Sequence, residues 1–139
     1  MQLKLNLPKI NELESNRNEL EEVLISLRDQ VEDTYDGKIS VVVTPSSTYN
    51  NKKEKVLSYA LYLVFMGRNS FSYRLMEINC KNADGGLPIE VNAFVGPSKS
   101  FGEANTIDEL NRKIENVFSD SRTREIILSN YNPDPFKKR

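Results

Sequence analysis

The sequence predicts a single α+β domain in the order α-β-β-β-β-α-α, with a mainly antiparallel four-stranded sheet and helices packed on one of its faces. Three observations predict it. An amphipathic stripe at helical spacing opens the chain, β-rich runs separated by glycine- and asparagine-bearing turns fill its middle, and a second helical stripe with its own cap follows. The 139 residues suffice for one core, and no internal repeat or linker divides them.

Leu3, Leu5 and Leu7 alternate with polar residues ahead of Pro8, so residues 1–9 read as an N-terminal arm or edge strand. Asn11 with Glu14, or Asn16 with Glu19, offers a cap for a first helix carrying Leu20, Val23, Leu24, Leu27 and Val31 and ending by Asp36-Gly37. With Leu13 the stripe also reads as a short heptad. It spans too few heptads for a coiled coil, and packing on the domain's own sheet is expected. Lys38 to Thr44 is β-branched and bounded by Gly37 and Pro45, hence a strand. Pro45 to Glu54 has loop composition. Val56 to Met66 and Phe71 to Cys80 flank Gly67-Arg68-Asn69-Ser70 as a hairpin, and a turn over Asn82 to Gly86 leads to a strand from Leu87 to Val95. Gly96 to Asn105 reads as a loop. Thr106 and Glu109 then make a capping box for a helix bearing Ile107, Leu110, Ile114, Val117 and Phe118. Ser119 or Asp120 caps a shorter helix with Ile126, Ile127 and Tyr131, and residues 132–139 form a flexible basic tail.

Side-chain alternation constrains the register, because paired residues share a face. A two-residue tip at Arg68 and Asn69 pairs Leu61 with Met76, Tyr59 with Ile78 and Leu57 with Cys80. The next hairpin then pairs Cys80 with Ile89 and Ile78 with Val91. Leu57, Tyr59, Leu61, Leu63, Met76, Ile78, Cys80, Ile89 and Val91 thus form one core face. The opposite face divides into an aromatic half, Tyr62, Val64, Tyr73, Leu75 and Phe94, and a polar half that includes Glu77, Asn79, Glu90 and Asn92. Large apolar patches rarely stay bare. The aromatic half therefore needs cover, from the arm, a helix, a second copy or a partner, and an interface centred on Tyr62, Tyr73 and Leu75 is the expectation.

Histidine is absent, which removes His-dependent nucleophilic systems and histidine metal sites. One cysteine, Cys80, builds neither a disulfide nor a zinc site; it reads as a small buried hydrophobe and fits a reducing compartment. No phosphate-binding loop occurs. Glu77 and Glu90 leave a carboxylate-dependent, metal-assisted hydrolase or nuclease as one alternative, although Glu77-Ile78-Asn79-Cys80-Lys81 departs from an acid-x-Lys spacing. A nucleic-acid-binding accessory role is the other. Its basic clusters, Lys52, Lys53 and Lys55, Arg122 and Arg124, and the Lys137-Lys138-Arg139 tail, are small and interleaved with acids, within a net charge of -1. A solvated surface explains them better, and nucleic acid is disfavoured. No signal peptide or membrane span is evident. The reading is a small cytoplasmic protein-binding module of a chaperone-, adaptor- or immunity-like kind, acting through the aromatic sheet face on a protein partner or as a homodimer, with no catalytic residues, metal or cofactor.

Overall fold

The computed structural model describes residues 10–66, 71–83, 85–94 and 98–131, with side chains of the first helix from Glu19 onward. Its elements are α1 (Ile10–Thr34), β1 (Ile39–Tyr49), β2 (Lys55–Phe65), β3 (Phe71–Cys80), β4 (Ile89–Phe94), β5 (Ser98–Ala104), α2 (Ile107–Ser119) and α3 (Ser121–Asn130). The α+β class and the helix–sheet–helix–helix order are those expected. The sheet, however, has five strands, β1-β2-β3-β4-β5, each antiparallel to the next. The fifth occupies much of the stretch read as a loop from Gly96 to Asn105. Lys99, Gly102 and Glu103 disguise it, and pairing with β4 supplies what local propensity does not. Residues 1–9, the Gly67–Ser70 turn and residues 132–139 lie outside the described residues.

Helix α1 already includes Asn11 and Asn16, so neither is its cap. It ends where Asp36 and Gly37 take φ values of 53° and 74°, and the Gly37 amide donates to the Glu32 carbonyl at 2.8 Å, closing a Schellman-type turn that glycine adopts without strain. Leu20, Leu24 and Val31 are buried in the same cluster as the sheet residues, so the stripe serves this domain's core rather than a coiled coil. At α2, Thr106 Oγ1 accepts from the Glu109 amide at 3.1 Å, while Glu109 Oε2 accepts from the Asn105 amide at 2.7 Å. Asp120 closes α2 and caps α3, its carboxylate accepting from the Arg122 amide at 2.9 Å. Helix α1 packs on β1, α2 on β4 and β5, and α3 on α2.

Only the second half of the stretch from Pro45 to Glu54 lies outside a strand. Strand β1 continues to Tyr49, and only a tight turn remains, organised by one side chain. Asn50 Oδ1 accepts from the amides of Lys52 and Glu54, both at 2.9 Å, and its Nδ2 donates to the Lys81 carbonyl at 3.0 Å, tying the turn to the end of β3. Pro-Ser-Ser-Thr is a weak strand sequence. It is held extended by its pairing with β2, whose Val, Leu and Tyr content is strongly β-forming.

The register agrees with the alternation at Tyr59–Ile78, Leu61–Met76, Ile78–Val91 and Cys80–Ile89. Between Leu61 and Tyr62 it shifts by one, so Tyr62 faces Arg74 and Leu63 faces Tyr73, with Leu75 as the extra residue of a β-bulge. Leu75 and Met76 are consecutive, yet both are buried. The bulge lets two neighbours point into one core, and beyond it the phase of β3 is reversed. All nine residues assigned to the core face belong to it, Leu57 only partly buried at its rim.

Two measurements probe this packing. Asn50→Ala removes side-chain hydrogen bonds to three backbone groups and is expected to destabilise by about 1–2 kcal/mol in chemical denaturation. The Thr123 hydroxyl is buried with no hydrogen-bond partner among the described residues. Thr123→Val, which removes the unsatisfied group at nearly constant volume, should therefore stabilise by about 1 kcal/mol in the same assay.

Candidate functional site

The outer face of the sheet, away from the helices, is built in cross-strand rows that the register makes continuous. Thr44, Ala60, Glu77, Asn92 and Ser100 form one row; Ser46, Ser58, Asn79, Glu90 and Glu103 form the next. Glu77, Asn79, Glu90 and Asn92 thus share one face, as their spacing implied. Small residues on β1 and β2 make this part of the face concave. Thr44, Ser46, Ser58 and Ala60, walled by Tyr62, Arg74 and Glu77, outline a hollow of about 370 Å³. A second hollow of about 400 Å³ runs from Thr48 to Asn50, Asn79, Lys81 and Glu90. Both include Thr48.

Every carboxylate of the polar half is engaged. Glu77 Oε2 lies 2.5 Å from an Arg74 guanidinium nitrogen. Glu90 and Glu103 oppose each other across β4 and β5, a like-charge pairing that is unfavourable in isolation. The Lys81 ammonium offsets it, 3.3 Å from Glu90 Oε2 and 2.9 Å from Glu103 Oε1. Asn92 Nδ2 donates to Glu90 Oε1 at 2.7 Å, and the Ser58 hydroxyl donates to Asn79 Oδ1 at 2.6 Å. The Asn92 hydrogen bond, helped by Lys81, holds the Glu90 carboxyl below its ordinary 4.5 against the opposing effect of partial burial. Hydrogen bonds to Glu103 and then Glu90 hold the Lys81 ammonium above its ordinary 10.5. Among the described residues no group of three or more His, Cys, Asp or Glu is placed to hold a metal ion.

The aromatic half differs from the expected one. Tyr62, Val64 and Phe94 lie on the outer face, but the bulge turns Tyr73 and Leu75 to the core side, where Leu75 is buried and Tyr73 packs against the core cluster. The Tyr73 hydroxyl donates to the Phe94 carbonyl, tying β3 to the end of β4. An interface centred on Tyr62, Tyr73 and Leu75 therefore cannot form from one face. In their place stand two residues that sequence reasoning missed. Val42, 47% exposed, is the cross-strand neighbour of Tyr62, and Arg74, on the other side of Tyr62, stacks its guanidinium 4.7 Å from the centre of the Phe94 ring. The signal for Arg74 was its position between Tyr73 and Leu75, both apolar, just before the alternation changes phase.

The chain matches no family model, no curated protein and no solved structure, so its class is defined by fold and face alone: an α+β domain with helices on one side of a five-stranded meander. No helix among the described residues is long and apolar enough to cross a membrane.

The Lys81 cluster carries a pH signature whose sign follows from the two shifts. Glu90, depressed in the folded state, contributes stability above pH 4.5 that is lost as pH falls through its folded value; Lys81, raised, contributes below pH 10.5 and is lost as pH rises through its folded value. In Lys81→Met the Glu90 carboxyl should titrate at a higher pH than in the wild type, because Glu103 then faces it without an intervening cation. Carboxyl NMR titration reads this directly, and an unchanged Glu90 midpoint would show that Asn92 alone sets it.

Proposed function

We propose that this chain is a protein-binding module whose contact surface is the outer sheet face, centred on Tyr62, Arg74 and Phe94. One observation carries the reading. An exposed valine, a tyrosine and an arginine stacked on a phenylalanine stand in a row across the sheet, beside a hydroxyl- and amide-lined hollow. Tyrosine and arginine are the residues that most often anchor protein interfaces, because each buries a large flat surface while keeping a polar group available for pairing. The adjacent hollow supplies hydrogen-bonding groups for a polar rim. Tyr73 and Leu75 have no part in the contact; they support it from the core side. The buried, disulfide-free Cys80 fits a cytoplasmic setting.

The metal-dependent hydrolase reading is weaker. Glu77 is already paired with the Arg74 guanidinium and Glu90 with the Lys81 ammonium and the Asn92 amide, and drawing either carboxylate onto a divalent ion would break these contacts. The surface is also unlike a nucleic-acid track, since Arg74 and Lys81 are matched by Glu77, Glu90 and Glu103.

A photo-crosslinking side chain placed at Ser72, an exposed outer-face position of β3 near Arg74, tests the proposal in cells. It should give a discrete crosslinked protein species that disappears when Arg74→Ala is added, while the same probe at exposed Leu128 on α3 gives none. Equal crosslinking from the two positions, or crosslinks indifferent to Arg74, would remove the outer face as the contact surface.

A further inference from the structure

The two edges of the sheet are guarded differently. Edge strand β5 carries Lys99 and Glu103, and its pairing with β4 is interrupted by a bulge at which Gly102 takes a φ of 94°. Charges, bulges and twisting of this kind keep a sheet edge from pairing with other chains. Strand β1 forms the opposite edge, Ile-Ser-Val-Val-Val-Thr-Pro-Ser-Ser-Thr-Tyr, with no charged residue and no register irregularity against β2. Pro45 is its single blunting device.

The ladder shows which backbone groups β1 leaves free. The Met66 amide donates to the Lys38 carbonyl and the Asn50 amide to the Glu54 carbonyl, both in the register that pairs β1 with β2. Even-numbered residues of β1 therefore form the hydrogen-bonded pairs with β2, and odd-numbered residues direct their N–H and C=O groups outward. At the start of the strand this outward row is shielded, since Ile39 and Val41 are buried under α1. Among the described residues the cover ends there. From Thr44 to Tyr49 almost every residue is exposed, leaving the outward groups of Ser47 and Tyr49 in reach of another strand.

We infer that the second half of β1 pairs antiparallel with the same segment of a second copy of this chain, joining two five-stranded sheets edge to edge. A second copy fits because a two-fold axis sets each residue against the same segment of its partner, so a charged strand would repel itself and an uncharged one does not. The short side chains of Thr44, Ser46, Ser47 and Thr48 allow close strand approach. The missing donor of Pro45 places the axis near Ser47, which keeps prolines from facing each other. This edge borders the hollow through Thr44, Ser46, Ser47 and Thr48 but includes none of Tyr62, Arg74 and Phe94. Crosslinks at Ser72 can thus fail while the edge pairs, and the reverse.

Sedimentation velocity on the full chain from about 1 to about 100 µM, with charges placed at the exposed Ser47, tests the pairing. The wild type should show a concentration-dependent dimer. Ser47→Glu and Ser47→Lys, each with the wild-type thermal midpoint at the low concentration where all are monomeric, should weaken it at least about tenfold, and an equimolar mixture of the two should recover most of the lost association, because opposite charges then meet at the axis. Amide exchange supplies a second readout: Ser47 and Tyr49 amides should be protected at high concentration and exchange freely at low. A wild type that stays monomeric overturns the inference. So does a dimer indifferent to both substitutions, or protection of these amides in the monomer, which would mean that another part of the same chain holds the edge.

Discussion

The β-bulge at Leu75 decides what each face of this sheet can be. In strand β3 the apolar residues Tyr73 and Leu75 are in one phase and Met76, Ile78 and Cys80 in the other, while β2 keeps a single phase from Leu57 to Phe65. A regular ladder could satisfy only half of β3. It would bury Met76, Ile78 and Cys80 and leave Leu75 and Tyr73 on the far side, stranding at least one large aliphatic side chain, which at full burial is worth roughly 1.5–3 kcal/mol. One extra residue in β3 removes the conflict at the cost of a local break in pairing. Both sets of apolar residues then enter one core, and the polar Arg74 is turned outward onto Phe94.

This explains how far the sequence was legible. The helical stripes of α1 and α2, the Thr106 cap and the phases of β2 and β4 are each consistent over several residues, and consistent periodicity is what a single sequence displays well. The polar quartet of Glu77, Asn79, Glu90 and Asn92 was readable for the same reason: it lies on the far side of the bulge from the turn, where the phase assumed is the phase found. The aromatic site failed because a uniform alternation was carried through Leu75-Met76. The phase change was itself visible as two adjacent apolar residues. What the pattern could not show is whether such a pair marks a bulge or simply an apolar residue on the other face.

One strand and half of another were hidden for a different reason. The second half of β1 and all of β5 are poor in β-branched and aromatic residues and rich in Ser, Pro, Lys and Gly, so their composition reads as loop. Their extended conformation comes from neighbours. Strand β2 templates Pro45 to Tyr49, and Asn50 fixes the turn that returns the chain; β4 templates β5, with Gly102 accepting a backbone conformation that side-chain-bearing residues rarely adopt. Edge strands are where propensity and structure disagree most, because only one side of the ladder has to be satisfied.

The polar half of the outer face shows the same economy of position. Glu90 and Glu103 would repel across neighbouring strands, and β4 and β5 are held in register there by pairing of Ile89 with Ala104 and burial of both. The carboxylates cannot separate without moving those two residues out of the core. Lys81, just beyond the end of β3, reaches both oxygens, so a cation from the turn makes tolerable a register that hydrophobic burial imposes. The same turn segment accepts the Asn50 side chain through the Lys81 carbonyl. Lys81 therefore joins the β1–β2 turn, β3 and the β4–β5 pair through one residue, its backbone serving the fold and its ammonium the charge balance of the face. The order of dependence runs from apolar packing to register, from register to a charge conflict, and from that conflict to the placement of a single lysine.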